Sequence, residues 1–451
     1  MVMALGPCLE DFPREYKFPG PEVLQQPTPV DAALPAIYSR RVLIFSTPSD
    51  RSRADIIATL CNALRATILE FPVLSHSASH ASGKWTFLPG QARLHVKELP
   101  DLGFVDLQDA KFTPGLLKPE VLSSVPGMID FENDWDCCRI QATFIKGGLL
   151  LSVCILHLAM DGRAISQVIQ ALARNSFVPP APTPERSIAA FDRSRLSVST
   201  AGPDIGKLPA YTISTGAFDF ASRTAGAIST RVYRFTQESV ALLKEDASSP
   251  GSPCFSTQDA VCSLVFRQMI TARLMSGIVG PSDKIQYSFP VEYRGIIDPP
   301  LPSDFVGNAV LFTATNFLPA KHLVGAGGLQ LAAKEIRQAI RAVDAEYVDN
   351  FISVVQSFAD LRKFNFYGAL NSKTTAITST TYKGLEMPEE WGQVLGRYEG
   401  MTLMDKGFGD GMFVILPPKE VGWDVIVTLT REAMDVFEDP EWDTYAARLD
   451  V

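Results

Sequence analysis

The run from Gly147 to Leu156, GGLLLSVCIL, constrains the fold more than any other part of the chain. It is almost wholly apolar and is entered through two glycines, so it does not alternate between a wet and a dry face. It reads as a strand buried on both sides. Such a strand needs covering layers above and below its sheet. The residues that follow supply one: Ile165, Val168, Ile169, Leu172 and Ala173 recur at i, i+3, i+4, i+7 and i+8, the stripe of an amphipathic helix. Strand, tight turn and helix in that order predict an α/β fold.

Further elements alternate along the chain. Ile57, Leu60, Leu64 and Ile68 recur at helical spacing, and Phe71-Pro72 stops the pattern. Strand patterns lie at Trp85–Leu88 and Cys138–Ile145. Ser256-Thr257-Gln258-Asp259 has the form of an N-cap with an acid three residues on, opening a helix through Val261, Leu264, Val265 and Met269. Strands are predicted at Gln286–Val291, Val310–Thr315, 374–382, 412–416 and 423–429, with a helix at 328–342. A chain of 451 residues exceeds the size at which one core usually divides. The densest break is VPPAPTPER at 178–186, with four prolines in six residues, which favours extended backbone and cannot continue a helix. The division predicted is a first domain over 1–185, a crossover linker over 186–210 and a second domain over 211–451.

Composition excludes several classes. Apolar residues make up 46% and charged residues 20%, enough material for packed cores and too little charge for a disordered chain. The 41 basic and 50 acidic residues leave a net charge of −9, which gives no support to binding of nucleic acid or anionic lipid. The seven cysteines are odd in number, lack CxxC spacing and have no neighbouring histidine, so neither a disulfide framework nor a metal site is expected. The start, MVMALGPCLEDF, lacks a basic region and meets acid within ten residues, and no apolar run is long enough to span a bilayer. A reduced, cytoplasmic protein is expected, with no membrane partner.

The chemistry-bearing residues cluster in the turn after the buried strand. His157 stands where an apolar strand emerges at a sheet edge, with a side chain whose ordinary pKa suits it to abstract a proton from a hydroxyl or amine. Asp161, four residues on, suits either orienting a ring or bracing the turn, and Gly162 would permit a positive φ before the helix. Both have plainer readings. A histidine in an apolar stretch is often a satisfied core residue, and Asp-Gly commonly starts a helix. No GxSxG elbow is present and no cysteine has an evident histidine partner, so a covalent enzyme intermediate has no support.

The run QATFIKGGLLLSVCILHLAMDGRAISQVI resembles the HxxxDG segment of the BAHD acyltransferases, in particular the fungal branch that includes trichothecene O-acetyltransferases. Four further segments are similar in order: PAIYSRRVLIF with FPVL at 71–74, FSTQDAVCSLVFRQMITAR at 255–273, PVEYRGIIDPPLPSDFVGNAV at 290–310 and WDVIVTLTREAMDVFEDPEWDTYA at 423–446. The family's DFGWG signature is degraded here. Glu390-Trp391-Gly392-Gln393-Val394 matches its spacing better than Asp405-Lys406-Gly407-Phe408-Gly409, and Leu156 stands where many members carry a second histidine.

The resemblance implies two chloramphenicol-acetyltransferase-like domains with mixed β-sheets flanked by helices, a solvent channel between them, and a strand near 370–386 swapped into the first domain. It further implies a monomer that takes acetyl-CoA, or another acyl-CoA, as a co-substrate with no tightly bound cofactor, and a small-molecule alcohol as acceptor. His157 would act as general base in direct transfer and Asp161 would turn toward Arg294. Gly162, Arg294, Glu390, Trp391 and Gly392 would be structural, and Ser256, Ser379 and Thr380 would line the donor site. Read from the residues alone, Arg294 is equally a solvated arginine beside a Pro-rich loop, and Ser256 a helix cap. Two alternatives stand beside acyl transfer: CoA-independent condensation or cyclisation on the same fold, and a non-catalytic small-molecule binder.

Overall fold

The computed structural model describes residues 13–22, 26–47, 51–179, 182, 186–213, 227–248, 255–366, 375–382, 384–385, 387–404 and 409–449. The chain divides into two compact units built from interleaved segments. Met1–Leu196, Pro302–Asn308 and Leu385–Gly407 make the first, and Ser197–Leu301, Ala309–Gly384 and Phe408–Val451 the second.

Six strands form the sheet of the first unit: β1 (Glu15–Phe18), β2 (Tyr38–Ser46), β3 (Ala92–Gly103), β4 (Cys138–Lys146), β5 (Gly148–Leu156) and β6 (Arg397–Leu403). They lie side by side in the order β1-β3-β4-β5-β2-β6. The β3–β4 pair is parallel and the other neighbours are antiparallel, so the sheet is mixed. All residues of β5 are buried, which is what its almost wholly apolar sequence demands. The strand starts from the short turn at Lys146-Gly147, where Gly147 has φ +72°, a conformation that a Cβ would strain. At its far end Leu156 donates to the Cys137 carbonyl and His157 to the Ile37 carbonyl, after which the chain leaves the sheet. Helices α1 (Arg53–Glu70) and α2 (Gly162–Asn175) pack against each other. α1 ends where Pro72 forbids another turn.

The second unit holds a larger mixed sheet. Its strands run in the order Val310–Ala314, Lys284–Glu292, Ala376–Thr381, Met412–Ile415, Trp423–Thr430, Ile228–Phe235 and Ala447–Arg448, with Leu318–Pro319 added to Lys284–Glu292. Ala376–Thr381 lies parallel to both neighbours. Helix α3 (Thr257–Met275) contributes Phe266 and Met269 to a core shared with Tyr287, Ile377, Phe413 and Val425, and α4 (Gly328–Arg341) packs beside it. Both sheets are open, and the architecture is mixed α/β.

Three differences from the sequence expectation stand out. The strand expected to cross into the first domain at 370–386 is placed instead at Arg397–Leu403, while Ala376–Thr381 stays in the second sheet; residues 367–374 lie outside the described residues. Period-2 patterning does not say which sheet a buried strand joins, and that choice belongs to pairing partners far away in sequence. The segment 186–210, expected as a linker, holds short 3₁₀ turns at Ile188–Phe191, Ser194–Ser197 and Ile205–Lys207, and the first unit runs through it as far as Leu196. The helix Ala345–Ser357 and the strands β2, β3 and Ile228–Phe235 add to the elements read from periodicity. Among the described residues no helix is long and apolar enough to cross a membrane.

Candidate active site

The turn His157–Asp161 joins β5 to α2. Asp161 is the N-cap of α2: its Oδ1 accepts from the backbone N–H groups of Arg163 at 3.1 Å and Ala164 at 3.0 Å. The residue is 2% exposed. Gly162 is the first residue of the helix and does not have a positive φ, contrary to the role expected for it. A Cβ at Gly162 would stand 3.5 Å from Leu385 Cδ1 and 3.6 Å from Arg41 Nη2, ordinary contact distances. Helix geometry explains the correction, because a capping carboxylate leaves the next residue with ordinary right-handed dihedrals.

His157 is half-buried, and its Nδ1 is buried with no hydrogen-bond partner among the described residues. Burial, the largest influence, pushes its pKa below the ordinary 6.5; the Asp161 carboxylate pulls the other way. Burial thus favours the neutral ring, the form a base requires.

The main chain of the turn is held by side chains that the sequence reading did not single out. The Asn308 amide donates to the carbonyls of His157 at 2.9 Å and Leu158 at 3.2 Å, and to Asp31 Oδ1 at 2.9 Å. Arg193 donates from Nη2 to the Ala159 carbonyl at 2.8 Å and from Nη1 to Asp31 Oδ2 at 2.9 Å. Asp31 also accepts from Thr28 in a capping box. Arg41, on β2, donates to the Gly162 carbonyl at 2.9 Å and to Ser166 Oγ at 3.1 Å. Asp31, Arg41 and Asn308 are fully buried, and Arg193 is 6% exposed. Local sequence offered little signal. Asp31 reads as a cap, Arg193 falls within the expected linker, and Asn308 lies in a segment noted only for its family likeness.

The other expected residues fall elsewhere. Arg294 follows the strand Lys284–Glu292 in the second unit. It is 2% exposed, which excludes the solvated reading, and its Nη1 lies 3.3 Å from Glu292 Oε1. Ser256 caps α3 in a capping box with Asp259. Ser379 Oγ is 2.6 Å from the Tyr287 hydroxyl, and Thr380 is the next residue on the same strand. In the first unit Trp391 is buried edge-on against Phe45 at 5.1 Å, and Gly392 donates to Ser176 Oγ at 2.8 Å, at the C-terminal end of α2. Glu390 is exposed. The 14 residues of α2 hold this segment about 21 Å from the His157 turn. Residues 405–408 of the competing segment lie outside the described residues.

The described cysteines 61, 137, 138, 154 and 262 are buried and free of disulfides. Burial raises the thiol pKa values of Cys137 and Cys138, and that of Cys154 to about 11, so these are not thiolate nucleophiles. Among the described residues no cluster of three His, Cys, Asp or Glu side chains could hold a metal ion.

The sequence model of the Transferase family matches residues 28–443. A Penicillium crustosum protein named enoyl-CoA isomerase/hydratase claC is 29% identical over 414 residues, 86% of this chain, which spans 46% of that protein. The O-acyltransferase pigD of Monascus ruber is 24% identical over 393 residues, covering 80% of this chain and 82% of its own. Among solved structures, F. graminearum TRI101 complexed with coenzyme A and deoxynivalenol has a TM-score of 0.83 at 17% identity, covering 96% of this chain and 100% of its own. At that identity the likeness concerns the fold.

Proposed function

This chain belongs to the Transferase family, that of the BAHD acyltransferases, and on that premise we propose that it transfers an acyl group, preferentially acetyl, from coenzyme A to a hydroxyl of a fungal secondary metabolite such as a polyketide, terpenoid or alkaloid. The observation that carries this reading is His157, an imidazole whose pKa burial pushes below the ordinary 6.5, on a turn whose main chain is fixed by buried donors. His157 removes the proton of the acceptor hydroxyl as its oxygen attacks the thioester carbonyl. The tetrahedral adduct collapses by breaking the C–S bond, and the imidazolium returns the proton to the leaving thiolate. Atoms and charge balance without a covalent enzyme intermediate. Ser256, Ser379 and Thr380 remain the proposed donor-site residues, although Ser256 Oγ already accepts from the Asp259 N–H and Ser379 Oγ already pairs with Tyr287.

The test is to incubate the protein with acetyl-CoA and a panel of hydroxylated polyketides, terpenoids and indole alkaloids, and to follow free thiol. His157→Ala should keep the melting temperature and lose about 10²–10⁴-fold in kcat. The parent's pH dependence follows from the sign of the His157 shift. The neutral ring is active, so kcat/KM rises with pH through a pKa below 6.5 and is level above it. A folded His157→Ala variant turning over at the parent rate would remove the mechanism. Thiol release without any acylated alcohol would favour altered chemistry on the same fold.

A further inference from the structure

We infer that Asp31, Arg193 and Asn308 are positioning residues, a buried clamp that aims His157 by holding three successive carbonyls of its turn. The inference rests on the reading of His157 as base. The carbonyls of His157, Leu158 and Ala159 belong to a turn between strand and helix, where no ladder or helix fixes their direction. Each is met by a side-chain donor: Asn308 for the first two and Arg193 for the third.

The donors are oriented by one carboxylate. Asp31 accepts from Asn308 on Oδ1, and from Arg193 and Thr28 on Oδ2. An amide has two N–H hydrogens, and Asn308 meets three acceptors within 3.2 Å, so at least one of those hydrogens is shared. Arg193 uses the two ends of its planar fork on different partners, which a lysine ammonium cannot reproduce. Next to Asn308, the Gly307 carbonyl accepts from the Asp161 N–H at 3.2 Å, and the Val306 N–H donates to the Ala190 carbonyl, tying the Asn308 stretch to the Arg193 stretch. Three distant stretches, around Asp31, Arg193 and Asn308, therefore converge within one unit on the main chain that carries the imidazole.

Satisfying buried carbonyls is also what any well-packed turn does, so the test must separate aiming from bracing. Arg193→Lys keeps the positive charge beside Asp31 and gives up the bond to Ala159; Asn308→Ala removes the other two carbonyl contacts. The first readout needs no substrate. The chain has five histidines, so ¹³C-labelled histidine gives five ring signals, and His157 is the one lost in His157→Ala. In the parent this signal should titrate below 6.5. In Arg193→Lys the released turn lets the ring reach water, and its midpoint should move up toward 6.5 while the other four stay.

The second readout is turnover of acetyl-CoA with whichever alcohol supports thiol release. Each variant should lose about 10–100-fold in kcat with both KM values within about threefold, since a misplaced base slows chemistry without emptying the substrate sites. On a His157→Ala background the same substitutions should cost nothing further. A lowered melting temperature with an unmoved His157 titration and kcat within about twofold of the parent would make the clamp a structural brace and overturn the inference. If Asn308→Ala does not fold, Arg193→Lys carries the test. The two readings fail separately: normal turnover in His157→Ala sinks the base assignment, whereas an unmoved ring signal in Arg193→Lys sinks the clamp even when His157→Ala is inactive.

Discussion

Asp161 illustrates how much one side chain carries at the residue scale. Its carboxylate caps α2 through two backbone N–H groups while sitting almost wholly out of water. Capping and charge can be separated by substitution. Asp161→Ala removes both, whereas Asp161→Asn keeps an acceptor oxygen and discards the charge. Loss of the cap alone should cost about 1 kcal/mol in chemical denaturation. If the buried carboxylate also carries an ion pair, Asp161→Asn should lose more, about 3–5 kcal/mol, because the pair is then broken from one side. A loss of only a few tenths in Asp161→Asn would show the carboxylate to be a cap and nothing more.

The segment expected as the family's second signature shows what elements add to residues. Gly392 lies so close to the end of α2 that a Cβ would stand 1.8 Å from the Ser176 carbonyl oxygen, a backbone atom that cannot step aside. Gly392→Ala should therefore lower stability by about 1–3 kcal/mol. Trp391→Ala empties a buried ring site against Phe45 and should cost about 3–5 kcal/mol. Glu390 is exposed and should be nearly silent, within about 0.5 kcal/mol. Differential scanning calorimetry of the three variants checks this ordering. A Glu390→Ala loss as large as that of Trp391→Ala would contradict it. The pH dependence of kcat should be unchanged in all three, because the helix holds this packing about 21 Å from His157.

Several elements are legible in the sequence. Periodicity at Ile57, Leu60, Leu64 and Ile68 marks the helix observed at Arg53–Glu70, and the apolar run after Gly147 marks β5. Strand β2 was not legible as a strand. Its YSRRVLIFS sequence carries Arg41, which is buried beside α2 rather than turned to solvent, and no local rule places an arginine there.

The whole molecule responds to pH through more than its candidate base. Burial pushes the rings of His76, His95 and His157 below the ordinary 6.5. For a base with a depressed folded pKa, the unfolded chain binds the proton more readily. Stability then rises with pH from the folded values up to 6.5 and is fully present above it. Melting temperature should be level above about pH 7 and fall on acidification through about pH 6, ahead of the carboxylates. A thermal scan series that stays flat down to about pH 5 would show that these rings are not held neutral by the fold.

Strand, turn and helix around His157, the cap at Ser256 and an α/β class were determined by the sequence itself, because each rests on spacing within some twenty residues. The assignment of Arg397–Leu403 rather than Ala376–Thr381 to the first sheet was decided by tertiary structure alone, as was the meeting of Asp31, Arg193 and Asn308 on one turn. Those partners are separated by up to 277 residues. A carboxylate, a guanidinium and an amide at that separation carry no shared period, and what selects them is the requirement that every polar group buried with them find a partner.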